Sequence, residues 1–279
     1  MKSIQFQIAA YACTLIACAT TTSASASVLG SAGEFAVLGA STVTNTGATT
    51  VSGDIGVYPG TAITGRGSIA HNGQVHAADA VAQAAQADAA LAFDSLRSMA
   101  FTLNLSGQNL GNRTLNPGVY RFDSSAELAG VLNLDALGDP NAMFVFQIGS
   151  AFTTASSSMI NVLNAGGNTG IFFQVGTSAT LGSNSTFAGN ILADQSVTFG
   201  TSAMLLCGRA LAVNAAVTMD SNTVANDCSG VAGRNDYGSF GYSGGGDSGE
   251  VPEPATFGMM GLGMVGLIAA RRRNKAVVA

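Results

Sequence analysis

The sequence predicts a mainly β fold of the solenoid type with one long α-helix packed alongside. A short strand-like pattern returns four times, and its threonines are 27, 18 and 20 residues apart. Spacing near 20 residues is typical of solenoids, in which each coil packs on its neighbours. An alanine-rich segment without glycine or proline predicts the helix. The four copies are Phe152-Thr153-Thr154-Ala155, Ala179-Thr180-Leu181-Gly182, Val197-Thr198-Phe199-Gly200 and Val217-Thr218-Met219-Asp220.

Apolar residues flank the threonine in most of these copies. Because side chains alternate across a strand, inward Val197 and Phe199 require an outward Thr198. The alternation predicts one outward column of threonines and a second column two residues further along, made mostly of small residues. The first column holds Thr44, Thr153, Thr180, Thr198 and Thr218, and the second holds Thr46, Ala155, Gly182, Gly200 and Asp220.

The same register is found near the N-terminus. Thr44 precedes Gly53-Asp54-Ile55-Gly56-Val57 by nine residues, as Thr180 precedes Gly189-Asn190-Ile191-Leu192-Ala193. Residues 28–65 are therefore predicted to form another coil. The near copies 144–149 and 171–176 add a further strand to each coil, with phenylalanines stacked in the interior.

The predicted helix covers about residues 76–100. Spacing of three and four residues predicts a buried, mainly apolar stripe, with Gln83, Gln86 and Asp94 facing water. We expect the stripe to lie against the solenoid. Its members are Val81, Ala84, Ala85, Asp88, Leu91, Ala92, Ser95 and Met99.

The two ends of the chain have a different character from the body at residues 27–228. Residues 1–26 are typical of a secretory signal peptide, with cleavage expected after Ala26. Residues 229–250 are rich in glycine and serine, as in a flexible linker. Residues 251–275 combine Pro252-Glu253-Pro254, a short apolar stretch and a cluster of arginines, which predicts a short membrane span with a cytoplasmic end.

Composition limits the partners and the compartment. Residues 27–250 contain six arginines, no lysine and fifteen acidic residues, a formal charge of −9, so nucleic acid is not an expected partner.

After removal of the signal peptide, Cys207 and Cys228 remain. A disulfide between them would close a loop of about 20 residues and stabilise by about 3 kcal/mol. Two separate buried thiols are the alternative.

Residues that could support catalysis are scarce. His71 and His76 have no cysteine or metal-type carboxylate spacing nearby, and we interpret them as solvated residues at the helix entry. Asp123 with Glu127, or Asp135 with Asp139, could form a carboxylate pair, although turn chemistry explains Asp139 better. No enzyme activity, metal or cofactor is expected.

The C-terminal residues 251–275 resemble a PEP-CTERM sorting signal through Pro252, Glu253 and Pro254, the short span and the arginines. The resemblance implies processing by an exosortase in a Gram-negative bacterium. It also implies transient anchoring in the inner membrane, followed by delivery to the cell surface or the extracellular matrix.

Residues 28–228 resemble the DUF3494 family of microbial ice-binding proteins. The resemblance implies a right-handed, discontinuous β-solenoid with a long helix alongside and adsorption to ice crystals through one flat face. A non-catalytic matrix protein or carbohydrate-binding adhesin is the alternative. The segments that carry the resemblance are 35–39, 41–47, 53–60, 115–120, 138–142, 144–149 and 189–193.

The threonine column suggests the ice-binding residues: Thr44, Thr46, Thr153, Thr180, Thr198 and Thr218. Threonine carries a methyl group and a hydroxyl on a stiff, β-branched side chain, which limits the entropy lost on adsorption. Strand propensity alone also favours threonine here and is the simpler explanation at any single position.

Overall fold

The computed structural model describes residues 27–166 and 168–227. Its helices are α1 (Ala80–Ser98) and two short 3-10 helices, Gly30–Glu34 and Arg66–Ser68. The strands are, in chain order, β1 (Phe35–Gly39), β2 (Thr42–Thr46), β3 (Thr49–Ser52), β4 (Asp54–Val57), β5 (Ala62–Thr64), β6 (Ile69–His71), β7 (Val75–Ala77), β8 (Leu103–Asn104), β9 (Arg113–Leu115), β10 (Gly118–Phe122), β11 (Ala126–Leu128), β12 (Val131–Asp135), β13 (Met143–Ile148), β14 (Phe152–Thr154), β15 (Met159–Leu163), β16 (Gly170–Val175), β17 (Ala179–Leu181), β18 (Thr186–Ala188), β19 (Asn190–Ala193), β20 (Val197–Phe199), β21 (Met204–Leu206), β22 (Ala210–Ala212), β23 (Val217–Asp220) and β24 (Thr223–Ala225).

The strands form three parallel sheets, and successive strands of each coil contribute to different sheets. The helix-side sheet has the order β7-β4-β1-β22-β19-β16-β13-β10-β8. The threonine sheet has the order β11-β14-β17-β20-β23-β2-β5, and the third sheet β6-β3-β24-β21-β18-β15-β12-β9. This is the predicted β-solenoid, with one threonine-sheet strand in each complete coil.

The solenoid is discontinuous in chain order. Strand β1 pairs with β22 on one side and β4 on the other, so the N-terminal coils stack on the last coil of the chain. The 19-residue helix α1 is about 28 Å long at 1.5 Å per residue. It leads the chain from β7 at one end of the helix-side sheet to β8 at the other, where the remaining coils begin.

Aromatic stacking fills part of the interior, as predicted from the near-copied strands. Phe146 and Phe173 pair in register on β13 and β16, and their ring centroids are 4.3 Å apart at an interplanar angle of 11°. Tyr120 stacks on Phe146 at 5.4 Å, and Phe173 also contacts Phe187 at 4.7 Å. Each such contact adds about 0.5–1.5 kcal/mol beyond area burial, so the stack fixes the register of successive coils.

The helix begins later than the sequence predicted. Residues 75–77 form β7, in which His76 pairs with Gly56 of the neighbouring coil. The helix starts after Asp79, whose carboxylate accepts a hydrogen bond from the Ala82 amide at 2.8 Å and caps the first turn. Pairing with a distant strand therefore overrides the helical preference of residues 76–79.

The buried stripe predicted for α1 is only partly confirmed, because Ala85 and Ala92 are its only members that are buried. Val81 and Leu91 are 49% and 69% exposed, whereas Gln86, predicted to face water, is buried. The Gln86 amide donates to the carbonyl oxygens of Ala212 and Val213 at 3.0 and 2.7 Å. The residues that face the sheet are Ala82, Ala85, Gln86, Ala89, Ala92, Phe93 and Leu96.

No helix in residues 27–166 and 168–227 is long and apolar enough to cross a membrane. The predicted signal peptide, the linker and the apolar stretch at 255–270 lie outside the described residues, as does the boundary at residue 228.

Candidate binding surface

The threonine sheet has a mainly apolar inner side and a hydroxyl-bearing outer side, because side chains alternate along its strands. Val197 and Phe199 are buried on either side of Thr198, and Ala179 and Leu181 are buried on either side of Thr180. The inward orientation of these apolar residues was predicted from the sequence. The threonines between them consequently project from the solenoid.

Parallel pairing brings the outward threonines into one row across six neighbouring strands. The five residues predicted for the first column all lie in this threonine row, and Thr64, which the sequence reasoning missed, extends it. In the order of the strands, the row is Thr153, Thr180, Thr198, Thr218, Thr44 and Thr64.

Thr46 lies beside the threonine row rather than within it. It is exposed and pairs with Asp220 at the end of β2 and β23. The Asp220 carboxylate accepts a hydrogen bond from the Thr201 hydroxyl at 2.6 Å and one from the Ser221 hydroxyl at 3.2 Å. These hydrogen bonds, chiefly the one from Thr201, hold the pKa of Asp220 below its usual value. An ionised carboxylate therefore interrupts the second column.

Short side chains, two of them serines, lie on the other side of the threonine row. Ser178 and Ser196 occupy neighbouring coils, and their hydroxyls hydrogen-bond at 3.0 Å. Their backbone carbonyls accept hydrogen bonds from Phe152 and Ala179, which keeps the coils in the same register there. The threonine row is thus flanked by short side chains on this side.

Gly182 and Gly200 keep the second column flat, and packing between coils also requires glycine at these positions. A Cβ atom on Gly182 would lie 2.6 Å from backbone atoms of Ala155 and Thr154, and one on Gly200 would lie 2.7 Å from the Ser183 amide nitrogen. At these two positions the adjacent coil approaches too closely for a side chain.

The other two sheets present different outer surfaces. The helix-side sheet is covered by α1, where Val145, Phe172 and Leu192 are buried. Among the described residues no helix packs on the third sheet, whose outer side is chemically mixed, and Met159 and Leu163 are 38% and 41% exposed. Its main outward row is Val131, Met159, Thr186, Met204, Thr223, Thr50 and Ala70.

The titratable residues considered in the sequence take part in local structure. His76 contacts the Asp79 carboxylate at 2.8 Å, and His71 hydrogen-bonds the Gly73 carbonyl at 2.9 Å. The Asp139 carboxylate accepts from the Asn141 amide at 2.9 Å, the predicted turn chemistry. Among the described residues, no group of three histidine, cysteine or acidic side chains is placed to hold a metal ion.

The carboxylates Asp123 and Glu127 occupy different surroundings. Asp123 lines a cleft of about 400 Å³ between the C-terminal part of α1 and the helix-side sheet. There it accepts hydrogen bonds from Arg121 at 2.8 Å and Asn104 at 3.0 Å, and chiefly the Arg121 bond lowers its pKa. Glu127 lies on the threonine sheet and does not line this cleft.

Comparison with known proteins places this architecture in a family. The sequence profile of the Ice-binding-like family matches residues 37–225, which cover the coils and the helix. The chain belongs to the Ice-binding-like family. The PEP-CTERM protein-sorting motif matches residues 250–273, beyond the described residues.

Relatives of this Ice-binding-like chain share both sequence and fold. An ice-binding protein of Nostoc sp. (strain HG1) is 47% identical over 252 residues, covering 90% of this chain and 88% of that protein. The crystal structure of an ice-binding protein from the Antarctic ascomycete Antarctomyces psychrotrophicus is 40% identical with a TM-score of 0.68, covering 70% of this chain and 96% of that one. An ice-binding protein from an Antarctic biological consortium is 43% identical with a TM-score of 0.67, covering 70% and 89%.

The cysteine prediction concerns the end of the Ice-binding-like domain. Cys207 is buried and disulfide-bonded. Cys228 lies outside the described residues, so its pairing with Cys207 stays a prediction.

Proposed function

We propose that this protein adsorbs to ice through the threonine sheet and inhibits ice growth or recrystallisation. The observation that carries the proposal is the row of six outward threonines in register on neighbouring strands. The relatives named as ice-binding proteins support the same function. The proposed contact residues are Thr44, Thr153, Thr180, Thr198, Thr218 and Thr64, with Thr46 at the margin.

The chemistry of the row suits a solid water surface. Neighbouring strands are about 4.8 Å apart, so the hydroxyls form a regular line across the sheet, and the residues about 6.7 Å away along each strand are mostly small. Each hydroxyl can hydrogen-bond to ordered water while the adjacent methyl group accommodates water that is not bonded to the protein. Because threonine has a stiff χ1 and the strands that carry the row are paired in a sheet, little entropy is lost when the row meets ice.

The threonine sheet is favoured over the other two surfaces on physical grounds. Packing of α1 removes the helix-side sheet from contact with a flat crystal. The third sheet exposes methionine, which has three rotatable bonds and does not hold a fixed spacing of contact atoms. The threonine sheet combines exposure, one repeated side chain and short neighbours.

Thermal hysteresis and recrystallisation inhibition test the proposal most simply. The protein covering residues 27–250 should shape ice crystals into facets and slow their recrystallisation at micromolar concentration. A folded, β-rich sample without either effect would contradict ice binding and favour the matrix or adhesin alternative.

We infer export and processing of the chain ends from the sequence motifs. Residues 1–26 would direct secretion, and the match at residues 250–273 suggests exosortase processing after transient insertion of the apolar stretch in the inner membrane. The mature protein would then reach the surface or matrix of a Gram-negative bacterium. Mass spectrometry of the mature protein should find a new N-terminus at Ser27 and no peptide from residues 271–279; intact ends would contradict the inference.

We also propose that Cys228 is the partner of Cys207. Both cysteines remain after removal of the signal peptide, in a compartment that permits disulfides. Peptide mapping without reductant should recover the two cysteines in one linked fragment, whereas alkylation of Cys228 in the native protein would contradict the pairing.

A further inference from the structure

We propose that Glu127 ends the ice-contact row and limits its strength, so that threonine at this position would lengthen the row by one strand. The inference rests on the proposed function, because it concerns the extent of the same surface. Glu127 would thus weaken contact with ice, whereas the threonines provide it.

Glu127 occupies the next position of the threonine row. It pairs in register with Thr153, the first threonine, across β11 and β14. Its neighbours Ala126 and Leu128 are 5% and 1% exposed, so they point inward as the apolar neighbours of the threonines do. The Glu127 side chain therefore faces the same side as Thr153 and is exposed.

A carboxylate at this position opposes contact with ice. An ionised group keeps its own hydration shell, and removing that shell without a charged partner costs free energy. Within the described residues, the Glu127 side chain has neither a hydrogen bond nor an ion pair. In this part of the chain, therefore, no bonded partner offsets its charge when a crystal approaches.

Asp220 is a different kind of acidic residue on this sheet. It lies in the second column, opposite Thr46, and its carboxylate is hydrogen-bonded by Thr201 and Ser221. Glu127, in contrast, lies in line with the threonines on the last strand of the sheet, next to residues 107–109.

The backbone at Glu127 can accept threonine. Its carbonyl receives the Leu110 amide at 2.9 Å, and a bridge to Asn109 caps the strand edge. Both interactions use main-chain atoms, and threonine favours strands. The charge also suits β11 as an edge strand, since charged side chains discourage edge-to-edge association. Self-association of the variant is therefore checked by sedimentation.

The test compares thermal hysteresis of the full-length chain with that of Glu127→Thr at equal monomer concentration. We expect the thermal hysteresis of the variant to be larger by roughly 1.5-fold or more, because one further strand would contribute to the row. Glu127→Gln, which keeps the size and removes the charge, should gain less. Glu127→Lys, which keeps a charge, should not gain.

Asp94→Thr is the matched control for net charge. Asp94 is an exposed acid on the outer side of α1, and its replacement changes the net charge by the same amount. It should leave the activity unchanged. An equal gain in Asp94→Thr and Glu127→Thr would overturn the inference, because the effect would then depend on total charge.

Thr198→Tyr separates this inference from the proposed function. If Thr198→Tyr loses activity while Glu127→Thr and Glu127→Gln both stay at the parent level, the threonine sheet binds ice and the role of Glu127 is refuted. If Thr198→Tyr keeps full activity, the proposed function of this sheet fails first. Melting followed by circular dichroism should be similar for all these variants; if Glu127→Thr misfolds, Glu127→Gln decides.

Discussion

Thr180 and Thr198 lie directly opposite each other on neighbouring parallel strands, each between two buried residues. The same relationship continues to Thr218 and Thr44, so a short sequence repeat becomes a straight row in space. Since the hydroxyls face solvent and the neighbouring residues form the core, binding and stability depend on different residues of the same strands.

Close approach of coils at Gly182 gives a prediction about stability. Gly182→Ala should lower the free energy of unfolding by about 1–3 kcal/mol, because the added methyl would overlap the backbone of the preceding coil. Gly67→Ala is the control: its Cβ meets nothing within 4 Å. Urea denaturation should find Gly67→Ala unchanged or slightly stabilised, and equal effects of the two substitutions would contradict the account.

Docking of α1 on the helix-side sheet depends on a buried glutamine. Gln86→Ala should lower the free energy of unfolding by about 1–3 kcal/mol, since the Ala212 and Val213 carbonyls lose their donor. Gln83→Ala, three residues earlier on the exposed side, should change it by less than about 0.5 kcal/mol. Thermal unfolding of the two variants tests this, and equal melting temperatures would contradict a stabilising role of the Gln86 hydrogen bonds.

The Asp220 carboxylate, on β23 of the threonine sheet, provides a test by titration. Hydrogen bonds, first that from Thr201, lower the pKa of Asp220 in the folded protein below the ordinary value of 3.8. A lowered folded pKa stabilises the protein above the unfolded pKa, and this stabilisation is lost as the pH falls through the folded value. Thr201→Val should return the pKa of Asp220 towards 3.8, whereas Ser202→Ala should not. Carboxyl NMR titration measures both, and an unmoved Asp220 in Thr201→Val would be the contrary result.

The sequence predicted the threonine row well because the signal is local and repeated. Each copy places a threonine between core residues, and a period-two strand can bury them only by exposing the threonine. Thr64 was missed because its context differs from that of the other copies. Gly65 stands where most of them have an apolar residue, and Arg66 stands where most have a small one. The pairing of β1 with β22 joins residues that are far apart in the chain, and a local sequence pattern does not encode such pairing.

The helix was harder to predict in detail. In an alanine-rich segment most positions are small and apolar, so periodicity hardly distinguishes the face with Val81 and Leu91 from that with Ala85 and Phe93. The choice is made by the sheet below, where two backbone carbonyls require a donor and Gln86 supplies it. A polar residue is thus buried because of its partners.

Adsorption of two matched variants to ice tests the central claim most directly. Thr198→Tyr places a bulky ring in the middle of the threonine row, while Thr50→Tyr makes the same change at an exposed position of the third sheet. After slow freezing of each protein solution, the fraction of protein in the ice should fall several-fold for Thr198→Tyr and remain at the parent level for Thr50→Tyr. Unchanged capture of a folded Thr198→Tyr, or loss only in Thr50→Tyr, would contradict the assignment of the threonine sheet as the ice-binding surface.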